Sequence, residues 1–473
     1  MTPTSETPVC LTAIPENNPP CDRAADLVQA ARRAGWPTPY VLVFAPGRIN
    51  LLEYMDMLQA RQVSFAIEQG IWSLSAPRTG PEALIRMQYL SRDIRVDLRR
   101  TVSALREKAR TGQDWRSLVW SFPHPGRLAG DPVNYVVAPM ARLLFAHPGA
   151  FFQGLSLMIE SSDLPRDSGL SSSSAVVVSA GLHFLAHNPR LLAPLPGPLG
   201  SLFGESEWYV GTRGGANDHI TMLRAKPGCW LVNDHAKQPV ATGYIPFPAS
   251  ARMYLLDSLW PAAKSRFALA GFNRVQARFA ELQHAMVRLA GSAPFLGGYA
   301  PAAIERAGAR LRQGSEAERS LEAVLRFYQL QERFCTELVQ ATGQRDWPRY
   351  ITHWVNRLQR NLSRNLHTSN SYMDRLHERV NGLPGVMGAK MVGAGFGGAL
   401  LVFADRPLEA AGLLQHLIDA PMVAAFQRFV PTIADRPEEQ KKLLRTFAER
   451  RGQPGGLLPV QPAAGVKIMR CPA

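Results

Sequence analysis

Residues 167–178 read DSGLSSSSAVVV, in which a glycine and four consecutive serines stand directly before a run of apolar residues. Serine favours helix caps and loops over helix interiors, so the run could be a linker or the capped start of a buried helix. It could also be an anion site, because the N–H groups and the dipole of a helix N-terminus converge on one point. No lysine follows as in the Walker pattern GxxxxGK[ST], so the usual P-loop fold is not indicated. The serine run alone leaves both interpretations open.

The composition predicts a globular protein of two domains. The chain has 473 residues, of which 46% are hydrophobic and 19% charged, and this length exceeds what one hydrophobic core usually holds. The five cysteines are scattered and never form a CxxC pair, which supports neither a zinc site nor a disulfide framework. The N-terminus lacks the pattern of a secretory signal, and no stretch approaches the ~20 apolar residues of a membrane span. We therefore expect a cytoplasmic protein without a membrane partner.

The net charge of +15 raises the question of an acidic partner. The basic residues are mostly arginines dispersed among Ala, Leu and Pro, whereas a nucleic-acid site usually clusters them with aromatic residues. This dispersion favours a solvated surface and no nucleic-acid partner. The positive field would still attract a polyphosphate substrate.

Hydrophobic periodicity predicts a mixture of helices and strands. Apolar runs predict strands at residues 41–44, ended by Pro46 and Gly47, and at residues 155–162, followed by a buried helix after the serines. Longer periodic patterns predict an amphipathic helix at 23–33, helices at 267–290 and 316–341, strands on both sides of a glycine turn within 386–403, and a charged helix after Pro431. The predicted fold class is α+β. The predicted division is an irregular lead-in at 1–39, an N-terminal domain at 40–230 and a C-terminal domain at 231–473.

Three further stretches accompany the serine run. APGRINLLEYMDM at 45–57 places Arg48, Glu53 and Asp56 just after a predicted strand. GTRGGANDH at 211–219 sets Asp218 behind a flexible glycine turn, and VGAGFGGA at 392–399 has four glycines within six residues. Each stretch alone is typical of a turn. Their joint order along one chain is much harder to obtain by accident.

In that order the four stretches resemble the signatures of the GHMP small-molecule kinases, and within them the galactokinase branch. SGLSSSSA and SEWYVGTRGGAND are similar to the N-acetylgalactosamine kinases and eukaryotic galactokinases, and the resemblance covers roughly residues 41–403. It implies a two-domain GHMP kinase fold of class α+β, with the active site in the cleft between the domains. It also implies ATP and Mg²⁺ as cofactors, a small-molecule sugar as substrate, and a monomer or homodimer.

The resemblance assigns a role to each candidate residue. Asp218 would accept the proton of the sugar hydroxyl, and Arg48 would stabilise the alkoxide that forms beside it. Ser173, or alternatively Ser172, would supply an oxygen ligand of the kind that Mg²⁺ prefers, with Glu207 as its carboxylate partner. The sugar would contact Glu53, Tyr54, Asp56, Gly215 and Phe272. ATP would lie on Ser168, Gly169, Leu170, Ser171, Ser172, Ser173 and Ser174.

The motif around the sugar departs from the galactokinase pattern. It is one residue shorter and lacks a glycine, Tyr54 and Met57 replace a histidine and a tyrosine, and Phe272 stands where a tyrosine usually faces the sugar. His219, in place of a glutamine, follows Asp218. Because the changes cluster around the acceptor, the prediction is an ATP-dependent kinase that phosphorylates the anomeric hydroxyl of galactose, an amino sugar or a uronic acid, with a compact polyol as a further option.

The alternative is a catalytically weak, ligand-responsive regulator of the galactokinase-like type. The shortened sugar motif favours it, as does Asp167, whose negative charge lies in the phosphate loop where a glycine or serine is usual. Retention of Arg48, Glu207 and Asp218 argues against it, because a chain without catalysis could lose them.

Overall fold

The structure is a computed structural model that describes residues 11–13, 20–87, 93–108, 113–121, 131–161, 164, 168–192, 198–248, 251–262, 269–293, 295–341, 347–434, 436–452 and 456–471. Asp167, which entered the case for a regulator, lies outside these ranges. The strands are β1 (Leu11–Ala13), β2 (Tyr40–Asn50), β3 (Arg61–Arg78), β4 (Glu82–Met87), β5 (Ile94–Asp97), β6 (Gly154–Ser161), β7 (Cys229–Asp234), β8 (Ala241–Pro246), β9 (Arg252–Asp257), β10 (Val386–Met391), β11 (Ala399–Ala404), β12 (Leu457–Val460) and β13 (Lys467–Cys471).

The helices include the four predicted from periodicity. They are α1 (Asp22–Arg33), α2 (Leu98–Lys108), α3 (Trp115–Ser121), α4 (Val133–Ala146), α5 (Ser172–His187), α6 (Leu199–Ser206), α7 (Asn217–Arg224), α8 (Leu269–Ala290), α9 (Pro301–Gln313), α10 (Glu316–Gln340), α11 (Trp347–Asn361), α12 (Ser371–Asn381), α13 (Leu413–Leu417), α14 (Ala420–Ile433) and α15 (Pro437–Gly452).

Two sheets organise the described residues. A nine-stranded sheet has the order β1-β13-β2-β3-β6-β4-β5, with β7 also paired to β3 and β8 to β7. A four-stranded sheet has the order β10-β11-β9-β12. The long central strand β2 is buried at all of its positions, because β3 and β13 flank it and α5 packs on its face.

The sequence prediction ended the strand of residues 41–44 at Pro46 and Gly47, and this was wrong. Strand β2 continues to Asn50, with a shift of register against β3 between Pro46 and Arg48. A bulge tolerates proline because the extra residue is left out of the ladder. The continuation is what carries Arg48 and Asn50 toward the serine turn.

The sheets also bear on the domain division. The predicted boundary between residues 230 and 231 falls within β7, and β8 belongs to the nine-stranded sheet as well. Strand β13 returns from the end of the chain to pair with β2, where Met469 faces Leu42. We therefore propose that the first unit runs to Pro246 and includes β13, and that β9 opens the second unit.

Candidate active site

The pair of Arg48 and Asp218 joins two of the motifs. Arg48 lies near the end of β2 and Asp218 in the first turn of α7, and the guanidinium grips the carboxylate through Nε–Oδ1 and Nη2–Oδ2 contacts of 2.5 Å each. Arg48 Nη1 also donates to the carbonyl of Gly169 at 2.9 Å. Burial works to lower the pKa of Arg48, but the charge of Asp218 raises it above its ordinary value. The cation is therefore permanent, and it fixes the orientation of the carboxylate.

The serine turn meets the same carboxylate. Ser171 precedes the first residue of α5 in a left-handed conformation, with φ 58° and ψ 47°, and its hydroxyl donates to Asp218 Oδ2 at 2.5 Å. In the described part of the chain no side chain caps α5. The first N–H groups of a 16-residue helix are thus left for an external acceptor, as in a phosphate site. Of the two sequence interpretations, this arrangement favours the anion site over a simple capped helix.

The candidate metal ligands lie beside this turn, with one difference from the prediction. Ser173 lines the cavity, but the hydroxyl that donates to Glu207 Oε1, at 2.8 Å, is that of Ser174. Burial works to raise the pKa of Glu207, and the His219 ring at 3.6 Å together with the Ser174 hydroxyl brings it below its ordinary value. Glu207 is therefore an anion at neutral pH and could hold a hard cation.

The glycine turn between β10 and β11 packs on the serine turn, backbone against backbone. A Cβ at Gly393 would lie 2.8 Å from the carbonyl oxygen of Gly169, and one at Gly398 would lie 2.7 Å from that of Ser168. Both glycines have positive φ, of 73° and 94°. The close approach requires glycine at both positions, which gives the turn a structural reason beyond flexibility.

The predicted sugar residue Glu53 is held by a partner that sequence reasoning missed. Lys390 Nζ donates to Glu53 Oε1 at 3.1 Å, and only 1% of the lysine side chain and 3% of the glutamate side chain are exposed. Burial raises the pKa of Glu53 and lowers that of Lys390. Asn50 Nδ2 donates to the other carboxylate oxygen at 3.3 Å. A signal was present in the sequence, since a lysine interrupts the apolar strand pattern GVMGAKMV.

Tyr54 and Phe272 also reach the cavity, where they form part of an aromatic cluster. The Tyr54 hydroxyl donates to the carbonyl oxygen of Ala394, and its ring centroid lies 5.9 Å from that of Phe272 and 5.7 Å from that of Phe279. Tyr54 thus presents its ring to the cavity, while its hydroxyl proton is used on the backbone.

Asp56 and Gly215 lie against each other. A Cβ at Gly215 would lie only 2.1 Å from Asp56 Oδ2. Asp56 accepts backbone hydrogen bonds from Met57 at 3.0 Å and from Asn217 at 3.1 Å. Burial, followed by the charge of Asp218, raises the pKa of Asp56 to about 6. Asp56 is mostly ionised at neutral pH and can accept hydrogen bonds from a polyol.

These residues line one cleft. Its lining contains Arg48, Asn50, Glu53, Tyr54, Asp56, Tyr135, Ser173, Ser174, Glu207, Gly215, Asp218 and Phe272. The structure therefore brings the candidate base, the candidate metal ligands and the candidate sugar contacts to a single space. Ser168, Gly169, Leu170 and Ser171 lie at the adjoining turn, and Tyr135 is part of the wall.

Comparison with known proteins agrees with this arrangement. Residues 134–222, which contain the serine turn, Glu207 and Asp218, match the family model described as the GHMP kinases N terminal domain. Over these residues the chain is similar to the GHMP kinases.

Similar proteins cover most of the length of this chain. The galactokinase of Chloroflexus aurantiacus is 25% identical over 375 residues, or 76% of this chain and 84% of that protein. The crystal structure of Lactococcus lactis galactokinase complexed with galactose matches 94% of this chain and 100% of its own, with 18% identity and a TM-score of 0.68. A Listeria innocua protein matches 91% and 99%, with 11% identity and a TM-score of 0.51. The predicted resemblance to the galactokinase branch and the α+β GHMP kinase fold are confirmed.

The sequence analysis did not predict an amide network that lies behind Asp218. Asn217 Nδ2 donates to Asn50 Oδ1 at 3.1 Å, and Asn233 Nδ2 donates to Asn217 Oδ1 at 2.8 Å. These two hydrogen bonds therefore connect β2, α7 and β7 behind the site.

Across the ranges that the structure describes, no helix combines the length and apolar character needed to cross a bilayer.

Proposed function

We propose that this protein is an ATP-dependent sugar kinase that transfers the γ-phosphate to the anomeric hydroxyl of a monosaccharide. One observation carries the proposal. The Asp218 carboxylate contacts both Arg48 and Ser171 at 2.5 Å, so a charged acceptor for a proton lies directly beside an uncapped helix N-terminus. Transfer between an alcohol and a nucleotide needs these two features at one place.

Asp218 orients the acceptor hydroxyl and takes its proton. A carboxylate offers about four lone-pair positions, of which Arg48 and Ser171 occupy three at close range. The acceptor hydroxyl would take the place of the long contact from Asn50 Nδ2 to Asp218 Oδ1, at 3.5 Å. Arg48 holds a positive charge where the oxygen becomes negative, which stabilises the transition state more than the ground state.

The residues around the serine turn fit a nucleotide with its metal. The uncapped N–H groups of α5 suit phosphate oxygens. Glu207 and Ser173, both in the cavity wall, would hold Mg²⁺ together with the phosphates. When bound, MgATP supplies the phosphoryl group and neutralises part of its charge.

The acceptor contacts would come from the other wall of the cleft. Asp56 accepts hydrogen bonds from sugar hydroxyls, and Tyr54 and Phe272 offer apolar faces to the ring. Glu53, already held by Lys390 and Asn50, orders this wall. Galactose, an amino sugar and a uronic acid all present the hydroxyl groups that this wall requires. The regulator alternative gains no support from the described residues.

The experiment is a panel of hexoses, amino sugars and uronic acids incubated with MgATP labelled in the γ-phosphate, with sugar 1-phosphate detected by ³¹P NMR. We expect turnover of at least one acceptor and a loss of at least about a hundredfold in kcat for Asp218→Asn, since base and positioning are lost together. Asp26→Asn, on the exposed face of α1, is the matched control and should keep full activity. Nucleotide binding without any phosphorylated product would refute the proposal.

A further inference from the structure

A second cavity opens directly from the acceptor side of the cleft. It shares Asp56, Met57, Gly214 and Gly215 with the first cavity, while none of residues 168–174 lines it. A group that extends from a bound acceptor past Asp56 would enter this groove. The groove is therefore an extension of the acceptor wall and is separate from the serine turn.

Two arginines and two tryptophans form one side of the groove. The Arg116 guanidinium lies 4.2 Å and the Arg213 guanidinium 4.7 Å from the ring centroid of Trp120. The ring of Trp208 meets Trp120 edge to face, with centroids 5.8 Å apart. Trp208 Nε1 donates to the carbonyl oxygen of Gly214 at 2.8 Å, which ties the aromatic pair to the residues shared by both cavities.

The charges of these arginines are not neutralised within the groove. Neither guanidinium forms an ion pair with a carboxylate in the described part of the chain. Asp114, the acidic residue closest in sequence to Arg116, instead accepts the backbone N–H of Ser117 at 2.7 Å, and the Ser117 hydrogen bonds lower its pKa more than Arg116 does. The positively charged guanidinium groups of Arg116 and Arg213 therefore both lie against the ring of Trp120.

Stacking preorganises both guanidinium groups for a planar or tetrahedral anion. The π face of the indole attracts the cation, while the N–H groups at the edge of the guanidinium remain available for hydrogen bonds. Both side chains are exposed at their outer ends, so their donors can reach a ligand in the groove. A carboxylate or phosphate in the groove would form charge-assisted hydrogen bonds with these guanidinium groups.

We propose that this groove selects an acceptor that carries an anionic group, held by Arg116 and Arg213 while the phosphorylated hydroxyl lies at Asp218. The inference rests on the proposed function and narrows its substrate class. The shared chemistry is a carboxylate or a phosphate on the sugar, as in a hexuronic acid or a hexose 6-phosphate. The bound group is not changed in the reaction, so it contributes binding and orientation alone.

The test compares matched acceptors on the full-length protein and on the double variant Arg116→Gln/Arg213→Gln. The pairs are galactose with galacturonic acid and galactose with galactose 6-phosphate, so that the two arms separate carboxylate from phosphate. We expect the wild type to favour one anionic member, and the variant to raise the KM of that member by at least about tenfold. The KM for galactose and for ATP should stay within about twofold. The double variant Arg306→Gln/Arg310→Gln, on exposed positions of α9, removes the same charge and should change nothing.

The outcomes separate this inference from the proposed function. Turnover of neutral sugars with no preference for an anionic one overturns the inference but leaves the proposed kinase activity standing. An increase in the arginine variant that is confined to the KM of ATP has the same meaning. If no acceptor is phosphorylated, the proposed function fails. Calorimetric titration with galacturonic acid and galactose 6-phosphate then still tests the groove, because binding that weakens at least about tenfold in the arginine variant supports it and unchanged binding overturns it.

Discussion

Replacing Lys390 by methionine tests how the two halves of the site are held together. The lysine Nζ donates to Glu53 Oε1 at 3.1 Å, to the carbonyl of Asn50 at 3.1 Å and to its neighbour Met391 at 2.7 Å. Methionine fills a similar volume but leaves the Asn50 amide as the one hydrogen-bond donor to the buried Glu53 carboxylate among the described residues, with the charge of Arg48 nearby. Breaking a buried ion pair from one side typically costs about 3–5 kcal/mol.

Protonation of Glu53 limits that cost and makes it depend on pH. An ordinary glutamate has a pKa of about 4.3, so protonating it at pH 7 costs about 3.7 kcal/mol, at about 1.36 kcal/mol per unit of pH. At pH 5 the same step costs about 1 kcal/mol. In the variant the folded pKa of Glu53 lies above the unfolded value, so the folded state binds the extra proton and stability falls as pH rises. Relative to wild type, the free energy of unfolding of the variant should therefore be lower by about 3–4 kcal/mol at pH 7. At pH 5 this destabilisation should be smaller by about 2–3 kcal/mol.

Urea unfolding followed by tryptophan fluorescence at both pH values measures this difference. The double variant Lys390→Met/Glu53→Gln removes both charges and should recover most of the loss at pH 7, since an uncharged pair carries no unpaired ion. The argument from the buried pair would be refuted if Lys390→Met lowered the free energy of unfolding by less than about 1 kcal/mol at pH 7, or by the same amount at pH 5 and pH 7.

Three further predictions concern the cleft. Gly215→Ala should raise the acceptor KM at least about tenfold and leave the KM of ATP unchanged. The new Cβ would lie 2.1 Å from Asp56 Oδ2 and would push that carboxylate aside. Steady-state kinetics with both substrates checks this. Acceptor affinity should fall as pH drops through about 6, where Asp56 gains a proton, and a flat pH profile of kcat/KM between 5 and 7 would contradict it. Ser171→Ala should lower kcat about tenfold, through loss of the hydrogen bond that orients Asp218, and equal kinetics in Ser171→Ala and wild type would remove Ser171 from the site.

The sequence predicted the convergence of the motifs better than the details inside them. The serine turn, Arg48 and Asp218 could be grouped because their motifs follow one another along the chain in an order that resembles the GHMP kinases. The course of β2 through Pro46 was missed, since a bulge depends on the pairing with β3 and leaves no local signal. The choice between Ser173 and Ser174 for Glu207 was equally out of reach, because it depends on the rotation of α5.

The sequence analysis also missed residues from the distant half of the chain that contact Glu53 and Tyr54. Lys390 lies more than 330 residues from Glu53, and only the fold of β10 against β11 places its amine at that carboxylate. The Tyr54 hydroxyl was expected near the sugar, but Ala394 offers it a carbonyl across the same junction. Both contacts are made between the two units, so no periodicity within one element could reveal them.

The most direct measurement is a crystal structure of the full-length protein with a non-hydrolysable ATP analogue, Mg²⁺ and a sugar that it phosphorylates. Our account predicts the γ-phosphate at the N-terminus of α5 and the acceptor hydroxyl within hydrogen-bond distance of the Asp218 carboxylate. A sugar bound with its reacting hydroxyl away from Asp218, or a triphosphate away from residues 168–174, would contradict it.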